Sequence, residues 1–281
     1  MAVSTIPGFP RIGRNRELKW AEERYWSGKS SVEELLTVAD NARVANWASQ
    51  REAGLDLIPV NDFSLYDRTL DAAVLVGAIP ARYGAGEFDL DDYFAMARGR
   101  TGTNGVRPME MTKWFDTNYH YLVPEFAADQ EFKLGSNKPF AEFAEAQAAG
   151  IWAKPLLIGP ISLLLLGKTE SHASPIALLP KLLPVYAEVI EKLSAAGAEW
   201  IQIDEPVLVT DLSDEARAAF PSAYAQLTEA KGAARLLLQT YFGTVGEAYE
   251  MVAALPVDGI GFDFVRGAGQ VELIERHGFP A

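Results

Sequence analysis

Short apolar segments that each end in polar residues alternate with helical segments along most of this chain. They span residues 4–9, 58–63, 112–117, 154–160, 200–206, 235–241 and 259–265. Strands separated by helices pair in parallel through right-handed crossovers, and such a sheet is covered by its helices. We therefore predict an α/β fold built on a parallel sheet.

Polar side chains recur at the carboxyl ends of these predicted strands. Parallel strands bring their carboxyl ends to one face, which is the functional face of a (β/α)8 barrel, also called a TIM barrel. A doubly wound sheet is the alternative, but no GxGxxG motif or P-loop follows any of the segments. We expect the barrel and assign to its functional face Asp62, Asp116, Asp204, Glu205, Gln239, Thr240 and Asp263.

The predicted strands number seven, whereas a closed barrel needs eight. After the last of them a short helical segment covers residues 269–277, and the sequence ends at Ala281. An open barrel leaves an unpaired strand edge. We expect residues 1–281 to form one incomplete barrel, truncated before its eighth strand; a naturally short chain closed by a partner is the alternative.

Helix signals lie between the predicted strands. Asn15 is expected to cap a helix that runs through Tyr25, and Ser30 with Glu33 fits a capping box. Apolar residues before Gly197 have helical spacing, and we expect Gly197 to end that helix. Pro184 fits this helix only if it lies in the first turn.

Charge and composition exclude several classes of function. The net charge of -13 argues against binding polyanions such as nucleic acid or an anionic membrane surface. No cysteine is present, so a zinc–thiolate site cannot form, and the histidines His120, His172 and His277 are widely spaced. The first residues show no secretory signal, and no apolar stretch is long enough to span a bilayer. We expect a cytoplasmic protein.

A basic segment, residues 11–19, stands out in this acidic chain. It contains Arg11, Arg14, Arg16 and Lys19 at the predicted start of the first helix. Free backbone N–H groups and the helix dipole make such a start suitable for a multiply charged anion. A solvated surface with arginine–glutamate pairs explains the same spacing equally well.

Two further groups could carry chemistry. Asp204 and Glu205 end a predicted strand, where adjacent carboxylates could act as acid and base. As neighbours in a strand they point apart, so a structural hydrogen-bond role is the alternative. Lys113 lies among aromatic residues, which suits anion binding or a surface lysine, whereas His120 between two tyrosines is expected in the core.

Ordered sequence blocks across residues 8–266 resemble the amino-terminal half of cobalamin-independent methionine synthase. The blocks are GFPRIG, RELK, IPVNDFSLYD, MTKWFDTNYHYLVPE, KPLLIGPISLLLLGK, WIQIDEP and TYFG. The resemblance implies a two-barrel enzyme that moves a methyl group from 5-methyltetrahydropteroyltri-L-glutamate to L-homocysteine to form methionine. In that family the zinc and the catalytic residues belong to the carboxyl-terminal barrel.

The resemblance therefore implies no catalytic residue, no metal and no cofactor in this chain, which would be inactive alone. It implies that the chain binds the folate's polyglutamate tail and contacts the carboxyl-terminal barrel. The residues carried over for tail binding are Arg16, Glu17, Leu18, Lys19 and Lys113. The alternatives are a separate barrel hydrolase or decarboxylase that uses Asp204 and Glu205, and a non-catalytic scaffold barrel.

Overall fold

In the computed structural model of the chain, the structure describes residues 2–84, 88–102, 105–170 and 174–279. The α-helices within these residues are α1 (Glu17–Trp26), α2 (Val32–Glu52), α3 (Arg68–Leu75), α4 (Leu90–Arg98), α5 (Lys138–Ala148), α6 (Pro160–Leu165), α7 (Leu179–Ala195), α8 (Asp214–Ala230), α9 (Tyr249–Ala253) and α10 (Gln270–His277). The strands are β1 (Ile58–Val60), β2 (Met111–Lys113), β3 (His120–Leu122), β4 (Glu125–Phe126), β5 (Ala153–Ile158), β6 (Lys168–Thr169), β7 (Trp200–Asp204), β8 (Arg235–Gln239) and β9 (Gly259–Gly261).

The main sheet has five parallel strands in the order β1-β5-β7-β8-β9. On the outer side of β1, Thr5 forms a single parallel bridge to Leu57, so the amino-terminal segment extends the sheet. A second short parallel pair joins β4 to β6. The prediction of an α/β fold with a parallel sheet is confirmed, and no closed barrel is seen in the described part of the chain.

The prediction that residues 112–117 form a strand of the parallel sheet is wrong. Residues 111–113 instead pair antiparallel with residues 120–122 as the β2–β3 hairpin, outside the main sheet. All three residues of β2 are exposed, whereas all six of β5 are buried. A strand at the centre of a parallel α/β sheet is covered on both faces, and the polar MTK segment cannot fill that position.

Helix starts differ from the sequence prediction by small shifts. Arg16, not Asn15, is the N-cap of α1, and the capping box of α2 uses Ser31 and Glu34, one residue beyond the predicted pair.

In α7, Pro184 lies inside the helix and not in its first turn. The helix therefore lacks the hydrogen bond that an N–H at position 184 would make. Gly197 follows α7 with a φ of 95°, so the predicted helix end is correct.

Two apolar clusters form the core. The larger one surrounds the main sheet, where Ile201 and Leu236 are wholly buried, and it includes the inner faces of α7 and α8. The smaller one joins α1, α2, α3 and α4 through side chains such as Leu18 and Leu35. The basic segment is therefore attached to the rest of the protein by the apolar face of α1. Among the described residues, none of the helices has the length and apolar character needed to cross a membrane.

Candidate functional site

A row of buried polar side chains runs from Lys154 in the amino half of β5 to Asp204 at the carboxyl end of β7. The Lys154 ammonium donates to Gln202 Oε1 at 2.5 Å, and the Gln202 amide donates to Asp204 Oδ1 at 2.6 Å. Asp204 also accepts hydrogen bonds from Arg68 at 2.9 Å and from the Tyr241 hydroxyl at 3.3 Å. Lys154, Gln202 and Asp204 are fully buried, so this row is internally compensated.

The amino-terminal segment covers this polar row with its own backbone. The Lys154 ammonium reaches the Ile6 carbonyl at 3.3 Å, and the Gln202 amide reaches the Pro7 carbonyl at 3.1 Å. The Phe9 N–H donates to Asp62 at 2.7 Å. Burial raises the pKa of Asp62 to about 6 and lowers the pKa of Lys154 to about 8. These groups hold the chain's own backbone and do not face an open crevice.

Asp204 and Glu205 face opposite sides of the strand end. Asp204 belongs to the polar row, whereas Glu205 enters the helix layer and accepts the backbone N–H of Ser162 at 2.7 Å and of Ile161 at 3.3 Å. Glu205 also accepts the Tyr224 hydroxyl at 3.2 Å. Burial raises the pKa of Glu205 to about 7, in spite of these donors. The geometry favours the structural hydrogen-bond role for this pair, because neither carboxylate reaches solvent.

The cationic side chains of the basic segment fall into two groups, those that solvent reaches and one that points inward. Arg14 and Arg16 are exposed, and Lys19 is half-buried, 3.6 Å from Glu23 and 4.7 Å above the Trp20 ring. Arg11 instead points inward and pairs with Glu22 at 3.0 Å. The arginine–glutamate pairing that we considered as an alternative therefore holds for Arg11.

The side chains of two predicted tail-binding residues, Glu17 and Leu18, contact the protein itself. The Glu17 carboxylate turns back and accepts hydrogen bonds from the backbone N–H and the side-chain amide of Asn15, at 3.0 and 3.1 Å. Leu18 is fully buried in the smaller apolar cluster. The backbone N–H groups of both residues lie in the first turn of α1, where a helix has no intrahelical acceptor for them.

A groove of about 980 Å³ lies between α1 and α2, next to the basic segment. This volume is at the upper end of the range for small-molecule sites. Its walls combine cationic, amide and apolar side chains: Phe9, Pro10, Ile12, Gly13, Arg14, Asn15, Glu17, Trp20, Arg24, Val38, Asn41, Ala42, Ala45, Asn46 and Ser49.

Lys113 lies on the exposed β2 strand of the hairpin, which packs over the ends of the main strands. Phe115 in the hairpin turn contacts Phe242, which follows β8, with 5.5 Å between ring centroids. Asp116 forms an ion pair with Arg266 beyond β9. The hairpin is thus fixed to the carboxyl end of the sheet, and it carries Lys113 there.

Positive φ angles in non-glycine residues concentrate at this end of the molecule. Among the described residues they occur at Arg16, Asn61, Phe115 and Phe242. Such conformations cost of order 1 kcal/mol or more each and persist only where the surroundings impose them. Their positions follow β1 and β8, start α1 and form the hairpin turn, so the strain coincides with the candidate site.

The two histidines within the described residues contribute little to the site. His120 is exposed, with its Nδ1 3.1 Å from the Asn118 carbonyl oxygen, so its expected place in the core is wrong. His277 lies 2.8 Å from Glu250 in the α9–α10 region, and His172 falls outside the described residues. No group of three or more histidine, cysteine, aspartate or glutamate side chains in the described ranges is placed to hold a metal ion.

The sequence did not identify Lys154, Arg68 or Tyr241 as members of a polar network. Lys154 lies in an otherwise apolar strand, and a lysine within such a strand is the one signal that could have identified it. Arg68 begins α3 and Tyr241 follows β8, and only the fold brings them to Asp204.

Residues 3–281 match the family model described as the N-terminal domain of cobalamin-independent synthase, so the chain belongs to that family. It is 53% identical to a 5-methyltetrahydropteroyltriglutamate–homocysteine methyltransferase of Chelativorans sp. (strain BNC1), over 96% of this chain and 36% of that relative. A protein of the same name from Xylella fastidiosa (strain M23) is 50% identical, over 98% of this chain and 36% of the relative. The chain therefore spans little more than a third of the length of these relatives.

Solved structures share the fold at low sequence identity. A putative vitamin-B12 independent methionine synthase from Listeria monocytogenes superposes with a TM-score of 0.61 at 16% identity, covering 92% of this chain and 73% of that chain. A B12-independent methionine synthase from Shewanella sp. W3-18-1 gives a TM-score of 0.50 at 18% identity, covering 80% and 57%. At these identities the likeness shows the fold alone.

Proposed function

We propose that this chain is the folate-binding part of an enzyme that transfers a methyl group from 5-methyltetrahydropteroyltri-L-glutamate to L-homocysteine to form methionine. Its own contribution is to hold the glutamate tail of the methyl donor. The observation that carries the proposal is a set of solvent-accessible cations, Arg14, Arg16 and Lys19 at the start of α1 and Lys113 on the hairpin, in a chain with a net charge of -13. Elsewhere the field of such a chain repels a polycarboxylate, so a local basic site is needed.

The first turn of α1 supplies the second half of the tail site. The backbone N–H groups of Leu18 and Lys19 lie in this turn, where a helix has no intrahelical acceptor for them, and the positive end of the helix dipole lies there. Leu18 anchors the turn in the core and offers only its backbone N–H, whereas the Glu17 carboxylate accepts hydrogen bonds from Asn15. Lys19 and Arg16 provide the charges, and Lys113 approaches from the hairpin.

The chemistry of methyl transfer is expected elsewhere in the enzyme. The zinc that the resemblance implies for the full-length enzyme does not fit here, since the chain has no cysteine and its described residues form no metal-ligating group. We assign no catalytic residue to this chain and expect it to be inactive alone. Its part in the reaction is to position the donor, which is a proximity contribution.

The same proposal includes a finer fold assignment, one incomplete (β/α)8 barrel over residues 1–281. The segment at Thr5 and the five strands of the main sheet lie side by side in the same order in which they follow along the chain. Neighbouring strands of such a barrel have the same arrangement. The partner is the carboxyl-terminal barrel of the same enzyme, and the location is the cytoplasm. A separate hydrolase that uses Asp204 and Glu205 is disfavoured by the complete burial of both carboxylates.

Binding of triglutamyl and monoglutamyl methyltetrahydrofolate tests the tail site. The Lys19→Ala variant should bind the triglutamyl form about 10- to 150-fold more weakly, because a charge-assisted contact is worth about 1.5–3 kcal/mol, and should bind the monoglutamyl form almost unchanged. Tryptophan fluorescence follows binding, since Trp20 lies beside Lys19. Lys29→Ala, an exposed lysine just beyond the other end of α1, is the matched control. Equal losses for both ligands in Lys19→Ala would refute the tail role.

A further inference from the structure

The groove between α1 and α2 extends away from the proposed tail site along both helices. Residues 13–15 line it before the helix begins, and Glu17, Trp20 and Arg24 line it from α1 itself. These three positions are spaced three and four residues apart, so they lie on one face of the helix. At about 1.5 Å per residue, the groove follows α1 for about 10 Å from its first turn to Arg24. A ligand held at the start of α1 can therefore continue into this groove.

The charge of the groove is positive, in contrast to the chain as a whole. Arg14 lines its beginning and Arg24 lines its far end, and both side chains are exposed. Neither arginine forms a hydrogen bond or an ion pair with another residue that the structure describes. Glu17 is the one acid among the described residues that line the groove, and its carboxylate already accepts two hydrogen bonds from Asn15. In a chain with a net charge of -13, these walls suit an anionic ligand.

The remaining walls of the groove are amide and aromatic groups. On the α2 side, Asn41 is exposed, and the Asn46 amide donates to the Pro10 carbonyl at 3.1 Å, which holds the loop before Arg14 in place. On the α1 side, the Trp20 side chain is 48% exposed, and the Lys19 ammonium lies 4.7 Å from its ring centroid. The groove is therefore continuous with the proposed tail site through this lysine and tryptophan. Apolar and amide surface beside isolated cations matches a chain of methylene groups that carries spaced carboxylates.

We propose that this groove binds the glutamate residues beyond the third in methyl donors with longer tails, and that Arg14 and Arg24 make the protein prefer such tails. The inference rests on the proposed function, because the groove begins where the first glutamates of the tail are held. An extended peptide residue spans at most about 3.6 Å, so a groove about 10 Å long has room for two further glutamates. Each added carboxylate meets an arginine that has no other partner among the described residues, and such charge-assisted contacts are the strong ones.

Binding of triglutamyl and pentaglutamyl methyltetrahydrofolate tests the groove. The unmodified chain should bind the pentaglutamyl form at least about 10-fold more tightly, as expected for one or more charge-assisted contacts. Arg24→Ala should remove most of this gain and change the affinity for the triglutamyl form less than about 2-fold. The variant is expected to fold, since Arg24 is exposed and unpaired among the described residues. Arg51→Ala, which removes an exposed arginine near the end of α2 outside the groove, is the matched control and should keep the whole gain.

Two separate comparisons distinguish failure of this inference from failure of the proposed function. Equal affinities for the two long tails in the unmodified chain, or a gain that persists in Arg24→Ala, would overturn the inference and leave the tail site intact. The preference for triglutamyl over monoglutamyl donor reports on the tail site itself. If Lys19→Ala leaves that preference unchanged in folded protein, the proposed function fails, and this inference fails with it. Tryptophan fluorescence follows every titration, because Trp20 belongs to the groove wall.

Discussion

Replacing Glu205 by glutamine tests how the helix layer holds its buried carboxyl group. Glu205 is fully buried, and its oxygens accept two backbone N–H groups and one tyrosine hydroxyl. Burial raises its pKa from the ordinary 4.5 to about 7. Glutamine keeps the shape of the side chain but cannot titrate, so the variant isolates the effect of this one proton.

The sign of the pH dependence follows from which state binds the proton. Between the two pKa values the folded protein keeps the Glu205 proton and the unfolded chain has lost it. The contribution to stability is therefore fully present below about pH 4.5 and is lost as the pH rises through about 7. Each pKa unit is worth about 1.4 kcal/mol, so the total change is on the order of 3 kcal/mol.

Urea denaturation followed by tryptophan fluorescence gives the required free energies of unfolding. The difference between wild type and Glu205→Gln should shift by about 3 kcal/mol from about pH 4.5 to about pH 8, with the variant losing less stability over that range. Glu229→Gln, an exposed carboxyl on the same helix as Tyr224, should show a small and nearly pH-independent difference. A penalty for Glu205→Gln that does not change with pH would mean that the carboxyl is ionised in the folded state, and the reasoning from burial would be refuted.

Two further pairs of substitutions test the elements that support the candidate site. Leu18→Ala should lower the free energy of unfolding by about 2–5 kcal/mol, because Leu18 is fully buried, whereas Lys19→Ala should stay within about 0.5 kcal/mol. Urea denaturation measures both, and similar losses would contradict the assignment of Leu18 to the core. Ser31→Ala should cost about 1 kcal/mol by removing the α2 capping box. Ser30→Ala should cost less, since the Ser30 hydroxyl has no hydrogen-bond partner among the described residues. Thermal melts that rank the two serines in the opposite order would favour the cap that we predicted from sequence.

The parallel sheet could be predicted because the local pattern of apolar and polar residues in its strands is typical of β-structure. In residues 200–204 the apolar residues alternate with polar ones and a proline follows at 206, and the structure has β7 there. Residues 112–117 have the same aromatic and β-branched composition, so propensity alone could not exclude them from the sheet. What excludes them is burial on both faces, a tertiary condition that local composition does not report.

For the candidate site, the sequence predicted which charged residues belong to it but not where their side chains point. Spacing located the basic segment and Lys113, but it could not show that Arg11 turns inward to Glu22 while Arg14 stays exposed. That difference depends on a contact with the loop after β1, more than fifty residues away along the chain. Side-chain direction near a helix start depends on such long-range partners and not on local sequence.

The buried polar row also gives a reason why the proposed ligand site lies on α1 and the hairpin and not among the main strands. At the carboxyl ends of parallel strands, polar groups ordinarily face a substrate. Here the Lys154 ammonium and the Gln202 amide bond to the backbone carbonyls of Ile6 and Pro7, and Asp62 accepts the Phe9 N–H. A substrate at that position would have to displace the amino-terminal segment and leave those carbonyl groups unpaired, at about 1–3 kcal/mol for each lost partner. The exposed cations of α1 and the hairpin require no such displacement, which is why an anionic ligand is expected there.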